Sequence, residues 1–324
     1  MSLTPIVVAL APSVLLVSLG WALRRRWVVA GDFWRQLGDL AYTVFLPVLF
    51  FHSLATADLT GTPVTTMAVV LLVSSVGAAA LVLPTRRLPR LDGPAFTSVF
   101  QGAVRFNNYV GLAVSTVLFG RDGLELAVLA NAVLVPTVNV TSTIVLARFG
   151  HRRLRPLAVA RAMATNPLVV GSVLGLVANL VAATAFGEAA GRIDVVGAVV
   201  GILGDLFELL GGAALPVGLL CVGAGLVLDS RHWRDTAIPV AAASAFRFGV
   251  VPGLTLAMCS IVGLSGEAAI VAVLFQALPT ASSAYLLARR HGGDADLMAT
   301  IIALQTIAAV VFLPVWISTA AAVF

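Results

Sequence analysis

Val99-Phe100-Gln101-Gly102-Ala103-Val104-Arg105-Phe106-Asn107-Asn108 begins as apolar sequence and turns polar partway along. Leu274-Phe275-Gln276-Ala277-Leu278-Pro279-Thr280-Ala281-Ser282-Ser283 opens on the same Phe-Gln pair and does the same 175 residues further on. Both stretches lie in a chain that is 60% apolar and 11% charged, with a mean hydropathy of +1.03. Such a composition belongs to a protein whose solvent is mostly lipid. A membrane helix needs about 20 mainly apolar residues to cross roughly 30 Å of hydrocarbon. By that rule spans are expected at 5–23, 40–57, 64–84, 95–119, 124–147, 158–184, 211–228, 236–262, 267–288 and 296–320. Backbone groups in lipid have no water partner, so spans this long and apolar are helices rather than barrel strands. The two quoted stretches fall in the fourth and the ninth.

Charge placement supports that count. The chain has no Lys, and its 20 basic residues, all Arg, are unevenly spread. Sixteen sit in or beside alternate connections: Arg24, Arg25, Arg26 and Arg35; Arg86, Arg87 and Arg90; Arg148, Arg152, Arg153, Arg155 and Arg161; Arg231 and Arg234; Arg289 and Arg290. The opposite connections hold Arg121 and Arg192, and Arg105 and Arg247 fall inside spans. Basic connections face the cytoplasm, so a multi-pass protein of the inner (plasma) membrane with both termini outside is expected. The net charge of +5 reflects this topology and carries no nucleic-acid inference. The first span has basic residues after it and none before, the reverse of a signal peptide. Cys221 and Cys259 fall within spans and read as reduced packing residues.

The second half of the chain echoes the first. Leu46-Pro47-Val48 matches Leu215-Pro216-Val217, Thr4-Pro5-Ile6-Val7-Val8 matches Asn166-Pro167-Leu168-Val169-Val170, and Gly120-Arg121-Asp122 matches Gly292-Gly293-Asp294. The matches keep a constant order. They divide the chain into a five-helix repeat over 1–150 and a second over 151–324. Five spans is an odd number, so the two copies have opposite orientation in the membrane. Inverted repeats with a polar break near the midplane of each half are the sequence pointer to a transporter's binding site. Residues 195–210 are too polar for a clean span and read as an outer interfacial helix leading into the seventh, with Asp205 and Glu208 solvated on one face.

At the fourth-span break, Arg105 costs roughly 2.5–3.5 kcal/mol at mid-depth unless it faces protein or water. It reads either as a cationic contact for an anionic substrate, held by two parallel hydrogen bonds, or as a cap on helix carbonyls. Asn107 and Asn108 tolerate unusual backbone angles and carry both donors and acceptors, which suits an unwound segment facing a ligand. Interhelical hydrogen bonding is the plainer reading. At the ninth-span break, Pro279 lacks an N–H and frees carbonyls near Phe275 and Gln276, while Thr280, Ser282 and Ser283 line the far side. Gln101 and Gln276 complete the candidate substrate-binding set. Where two broken helices cross, their N-termini favour an anion and their C-terminal carbonyls a cation.

His52 and Arg247 are the other intramembrane ionisable residues, with a coupling or cavity role set against a structural one. Glu125, Glu267, Asp39 and Asp58 lie at span ends, and no acid falls at mid-depth. Coupling through a carboxylate is therefore disfavoured. Two isolated Cys and four scattered His offer neither a metal site nor a nucleophile–base pair, so no cofactor and no enzymatic activity are expected. Na+ or H+ remains open as a coupling ion.

These residues resemble the auxin efflux carrier family of membrane transporters, whose bacterial members are often labelled malate or malonate permeases. The resemblance is carried by Asn166-Pro167-Leu168 with Gly175-Leu176, by Ala214-Leu215-Pro216-Val217 through Gly223-Ala224-Gly225-Leu226, and by Leu278-Pro279 through Ala288-Arg289-Arg290-His291-Gly292-Gly293-Asp294. It implies an all-α integral membrane protein of ten transmembrane helices in two inverted five-helix repeats, a fold shared with bile acid:sodium symporters. It further implies a scaffold of helices 1, 2, 6 and 7 and a core of helices 3–5 and 8–10. The implied substrate site lies where the broken fourth and ninth helices cross, at Asn107–Asn108 and Pro279. Gly111-Leu112-Ala113 stands where family members often carry Gly-Leu-Pro. A homodimer through the scaffold is also implied. The expected function is a secondary carrier of a small organic anion, a carboxylate, working by alternating access in the lipid bilayer. A sodium-coupled carrier of the bile acid type and a non-transporting sensor or scaffold are the alternatives.

Overall fold

The computed structural model describes residues 3–57, 63–88, 91–150, 161, 164–185, 194–226 and 233–324. Asp58, Arg90, Arg152, Arg153, Arg155, Arg192 and Arg231, which entered the charge argument, lie outside the described residues, as does most of 158–163 at the start of the sixth expected span. Every regular element among the described residues is helical. In order they are α1 (Leu3–Arg26), α2 (Gly31–Leu40), α3 (Leu46–Ala55), α4 (Val64–Val82), α5 (Gly93–Val104), α6 (Asn108–Phe149) and α7 (Pro167–Ala185). Then follow α8 (Asp194–Ala224), α9 (Trp233–Ala245), α10 (Val251–Val262), α11 (Gly266–Ala277), α12 (Ser283–His291) and α13 (Ala295–Val323).

Among the described residues six stretches are long and apolar enough to cross a membrane: Gly31–Ala55, Val64–Arg87, Gly93–Phe149, Gly201–Ala224, Thr236–Val262 and Ala295–Val323. Pro167–Val181 and Gly266–Ala277 are shorter apolar helices. Leu15, Leu72, Val76, Leu180, Ile261 and Val311 are exposed, as side chains facing acyl chains would be. The 57-residue stretch Gly93–Phe149 is not one rod. Gly120 has φ 61° and ψ −136°, outside helical values. A Cβ on Gly123 would strike the carbonyl of Ser115, eight residues back, which a straight helix holds about 12 Å away. The chain therefore doubles back at Gly120, and glycine there supplies the positive φ at no steric cost.

Two boundaries differ from the sequence expectation. The second helical stretch begins at Gly31, not 40, because α2 is an amphipathic helix whose Asp32, Arg35 and Asp39 interrupt the run of apolar residues. Residues 195–210 form no separate interfacial helix but continue into the seventh span as α8, with Asp205 and Glu208 exposed.

Prolines shape two further helices. A π turn at Ala41–Phe45 joins α2 to α3 just ahead of Pro47, and another at Phe246–Val250 joins α9 to α10 just ahead of Pro252. A proline interrupts the regular ladder by withholding its N–H, and single π turns accommodate the slip. Pro252 leaves the carbonyl of Phe248 unpaired, and the Trp316 indole donates to it at 2.6 Å.

Packing separates the helices into two sets. α1 lies along α8, and α3 lies along α7 and α8. α4 packs on α6 and α10, α5 on α6 and α9, and α11 on α6, α10 and α13. Close approach in the first set depends on small residues, as membrane helices with no hydrophobic drive require. A Cβ on Gly223 would strike the carbonyl of Val17, and one on Gly20 the carbonyl of Leu220. Gly223→Val is accordingly expected to wedge α1 from α8 and cost roughly 1–3 kcal/mol or more. A thermal midpoint in detergent equal to wild type would show that the two helices do not meet there.

Candidate functional site at the crossing of two broken helices

Both quoted stretches break. α5 stops at Val104 and α6 starts at Asn108, while α11 stops at Ala277 and α12 starts at Ser283. The two unwound segments bond to each other: the Asn107 N–H donates to the Pro279 carbonyl at 2.8 Å. The fourth-span break forms without a proline of its own. Arg105 has an extended backbone (φ −78°, ψ 152°), and the Asn107 side chain caps α6 by accepting from the Val110 N–H at 3.3 Å. A Cβ on Gly111 would crowd Phe275 and Leu278, so glycine lets α6 close on the facing break.

The carbonyls ending α5 are all paired. That of Gln101 accepts from the Arg105 N–H at 2.8 Å. That of Gly102 accepts from Thr280 Oγ1 at 2.9 Å and from Gln305 Nε2 at 3.0 Å. Those of Ala103, Val104 and Arg105 accept from Arg247 Nη1 at 3.4, 3.1 and 3.3 Å. Pro279 has no N–H for the Phe275 carbonyl, and Arg247 Nη2 donates to it at 3.0 Å. Gln305 Oε1 also accepts from the Thr280 backbone at 3.1 Å and the Thr280 hydroxyl at 2.7 Å. Gln276 Nε2 donates to Ser74 and Ser75 at 3.2 and 2.7 Å, tying α11 to α4.

On the other side of the crossing lies a cavity of about 30 Å³. Its polar lining is Tyr42, Arg105, Asn108, Asn139 and Ser283, with Phe106, Val135, Val138, Leu168 and Ala281 completing the wall. Arg105 Nη1 donates to Asn139 Oδ1 at 2.8 Å and Nη2 to Ser283 Oγ at 3.1 Å. Its Nε is buried with no partner among the described residues, and neither neighbour carries a charge. Ser283 is the first residue of α12, so the guanidinium sits at a helix N-terminus, where partial positive charge adds to its own. The Asn166 amide donates to the Tyr42 hydroxyl at 3.3 Å, joining the cavity wall to the turn before α7.

Of the residues singled out from sequence, Arg105, Asn108 and Ser283 meet on this cavity. Asn107, Gln276, Pro279 and Thr280 instead hold the crossing together, and Arg247 caps it. Gln101 is fully buried with both amide atoms unpartnered, as is the Ser282 hydroxyl. His52 is half-buried on α3 and does not line the cavity. Cys221 and Cys259 are free thiols. Among the described residues no group of three His, Cys, Asp or Glu could hold a metal.

The sequence model of a family described as "Membrane transport protein" matches residues 151–317, more than half of the chain. The chain belongs to that family, the auxin efflux carriers. It is also 25% identical over 306 residues to a protein named "Uncharacterized transporter" from Methanothermobacter thermautotrophicus, covering 93% of this chain and 94% of that one. The protein is thus a multi-pass membrane transporter of the auxin efflux carrier family. In this carrier, sequence reading overlooked Asn139, Gln305 and Tyr42. The first two were visible as uncharged polar residues inside the fifth and tenth expected spans, a class that a search for ionisable groups passes over. Tyr42 resembled an ordinary aromatic at a span end.

Proposed function

We propose that this carrier moves a small organic anion, a carboxylate, by alternating access, holding it against Arg105 at the crossing of the broken helices. One observation carries the reading: a guanidinium in the protein interior that, among the described residues, bonds only neutral Asn139 and Ser283 and has an unpaired Nε. An interior charge without a counter-ion is costly, and a ligand carboxylate supplies both the charge and a paired acceptor for the fork.

The cavity also suits a moving site. Its room corresponds to a water or two, less than a carboxylate of several heavy atoms needs. Enclosing a whole carboxylate against Arg105 requires the walls to part. Tyr42 comes from the π turn leading into α3 and Leu168 from α7, and the remaining lining comes from the break between α5 and α6, from α6, from α12 and from the break before α12. Separation of these two sets opens the site without breaking the crossing. This favours a scaffold of helices 1, 2, 6 and 7 and a core of helices 3–5 and 8–10, arranged as ten spans in two inverted repeats. In that topology both termini face outward from the inner membrane, and the cavity lies on the Arg-rich cytoplasmic side. Two copies pair through their scaffolds in the same reading.

The test is a thermal-shift screen of purified protein against mono- and dicarboxylates, followed by uptake into proteoliposomes. A ligand at 100 times its Kd stabilises by about 2.7 kcal/mol, so at least one carboxylate is expected to raise the midpoint saturably and to be taken up. A folded protein indifferent to the whole panel would sink the substrate class.

A further inference from the structure

Arg247 is fully buried, and its guanidinium faces carbonyls from two different half-helices. Each helix C-terminus carries about half a negative elementary charge, so the ends of α5 and α11 together offer about one. Oxygen atoms so gathered are the donor set of a hard monovalent cation. Here the cation is covalent. The π turn at Phe246–Val250 re-aims the side chain of the eighth helical stretch into the gap, and Trp316 holds that turn through the Phe248 carbonyl. Among the described residues this guanidinium makes no ion pair with a carboxylate and no hydrogen bond beyond those to the helix-end carbonyls, and its Nε is unpartnered. Its hydrogen bonds go wholly to helix-end carbonyls.

We infer that Arg247 is a tethered cation standing where a coupling ion would sit, so the crossing is complete without sodium. A second cation at the same oxygens would meet both the occupied carbonyls and a like charge at contact distance. The consequence, that substrate binding and exchange of conformation are sodium-independent, rests on the transporter reading. The cation position itself does not.

Thermal unfolding of the purified protein in detergent tests it, in choline chloride buffer with sodium or guanidinium chloride added at low millimolar concentration. The wild-type midpoint is expected to be the same in sodium as in choline. Arg247→Ala should unfold several degrees earlier and recover saturably when guanidinium enters the vacated position. A wild-type midpoint that climbs saturably with sodium overturns the inference. So does an Arg247→Ala protein as stable as wild type and indifferent to guanidinium. Where Arg247→Ala yields no folded protein, Arg247→Lys and Arg247→Met decide. The lysine variant should fold and stay blind to sodium while the methionine variant, similar in length, does not fold; equal behaviour of the two refutes a role for the charge. The carboxylate response of wild type is scored separately, so loss of the substrate class leaves these readings standing.

Discussion

Arg105→Gln is expected to abolish the proposed carboxylate binding and to leave the unfolding temperature of the free protein unchanged or higher. The two effects have opposite signs for one reason. In the free protein Arg105 is 9% exposed and its guanidinium, among the described residues, bonds two neutral groups, so its charge is poorly compensated. Glutamine keeps a donor for Asn139 and removes the charge, which relieves a desolvation cost. With a carboxylate bound as proposed, the same guanidinium would give two charge-assisted hydrogen bonds, worth roughly 1.5–3 kcal/mol each. Their loss predicts affinity weaker by at least about 100-fold, since each 1.4 kcal/mol is a factor of ten. Isothermal titration with the best carboxylate from the screen reads the first effect, and scanning fluorimetry without ligand reads the second. Full affinity in the variant removes Arg105 from the site. A collapse of folding makes it a structural cap instead, the role that Arg247 fills.

That division between the two intramembrane arginines was only half legible in the sequence. Both stood out by depth alone, and each could be read as a ligand contact or as a cap. What assigns them is the aim of the side chain, which depends on backbone features with weak local signatures. Arg105 lies in an extended segment between helices, and Arg247 lies in a π turn. The breaks themselves were readable. Pro279 withholds an N–H inside an apolar run, and two adjacent Asn offer a cap, so both interruptions fall where the polar residues predicted. The closing of each break was not readable, because it is built from distant positions. Gln305 reaches the Gly102 carbonyl across 203 residues, and Gln276 reaches Ser74 across 202. A lone Gln in an apolar span says that a partner exists, not which one. The same limit explains α2 and the front of α8: hydropathy reports lipid contact, whereas both helices continue past the point where their polarity rises.

Asn139→Asp is expected to lose the proposed carboxylate binding as completely as removal of Arg105, although every residue at the crossing stays in place. Asn139 Oδ1 already lies 2.8 Å from Arg105 Nη1, so the substitution puts a carboxylate in hydrogen-bond contact with the guanidinium at almost no change in volume. The protein then carries its own anion where the substrate's belongs. Breaking a buried ion pair by removing one partner costs roughly 3–5 kcal/mol, and an incoming carboxylate has to displace this one. Affinity should fall by roughly 100- to 1,000-fold, the tenfold-per-1.4 kcal/mol conversion of the lower part of that range. Stability should rise, because the interior charge has gained a counter-ion. Asn139→Leu separates charge from shape: it removes the acceptor, adds no anion, and leaves Arg105 free for substrate, so its affinity should stay within about tenfold of wild type. Loss of binding in the leucine variant would mean that Asn139 itself holds the substrate through its amide N–H. It would also leave Arg105 as its support rather than the anion's partner.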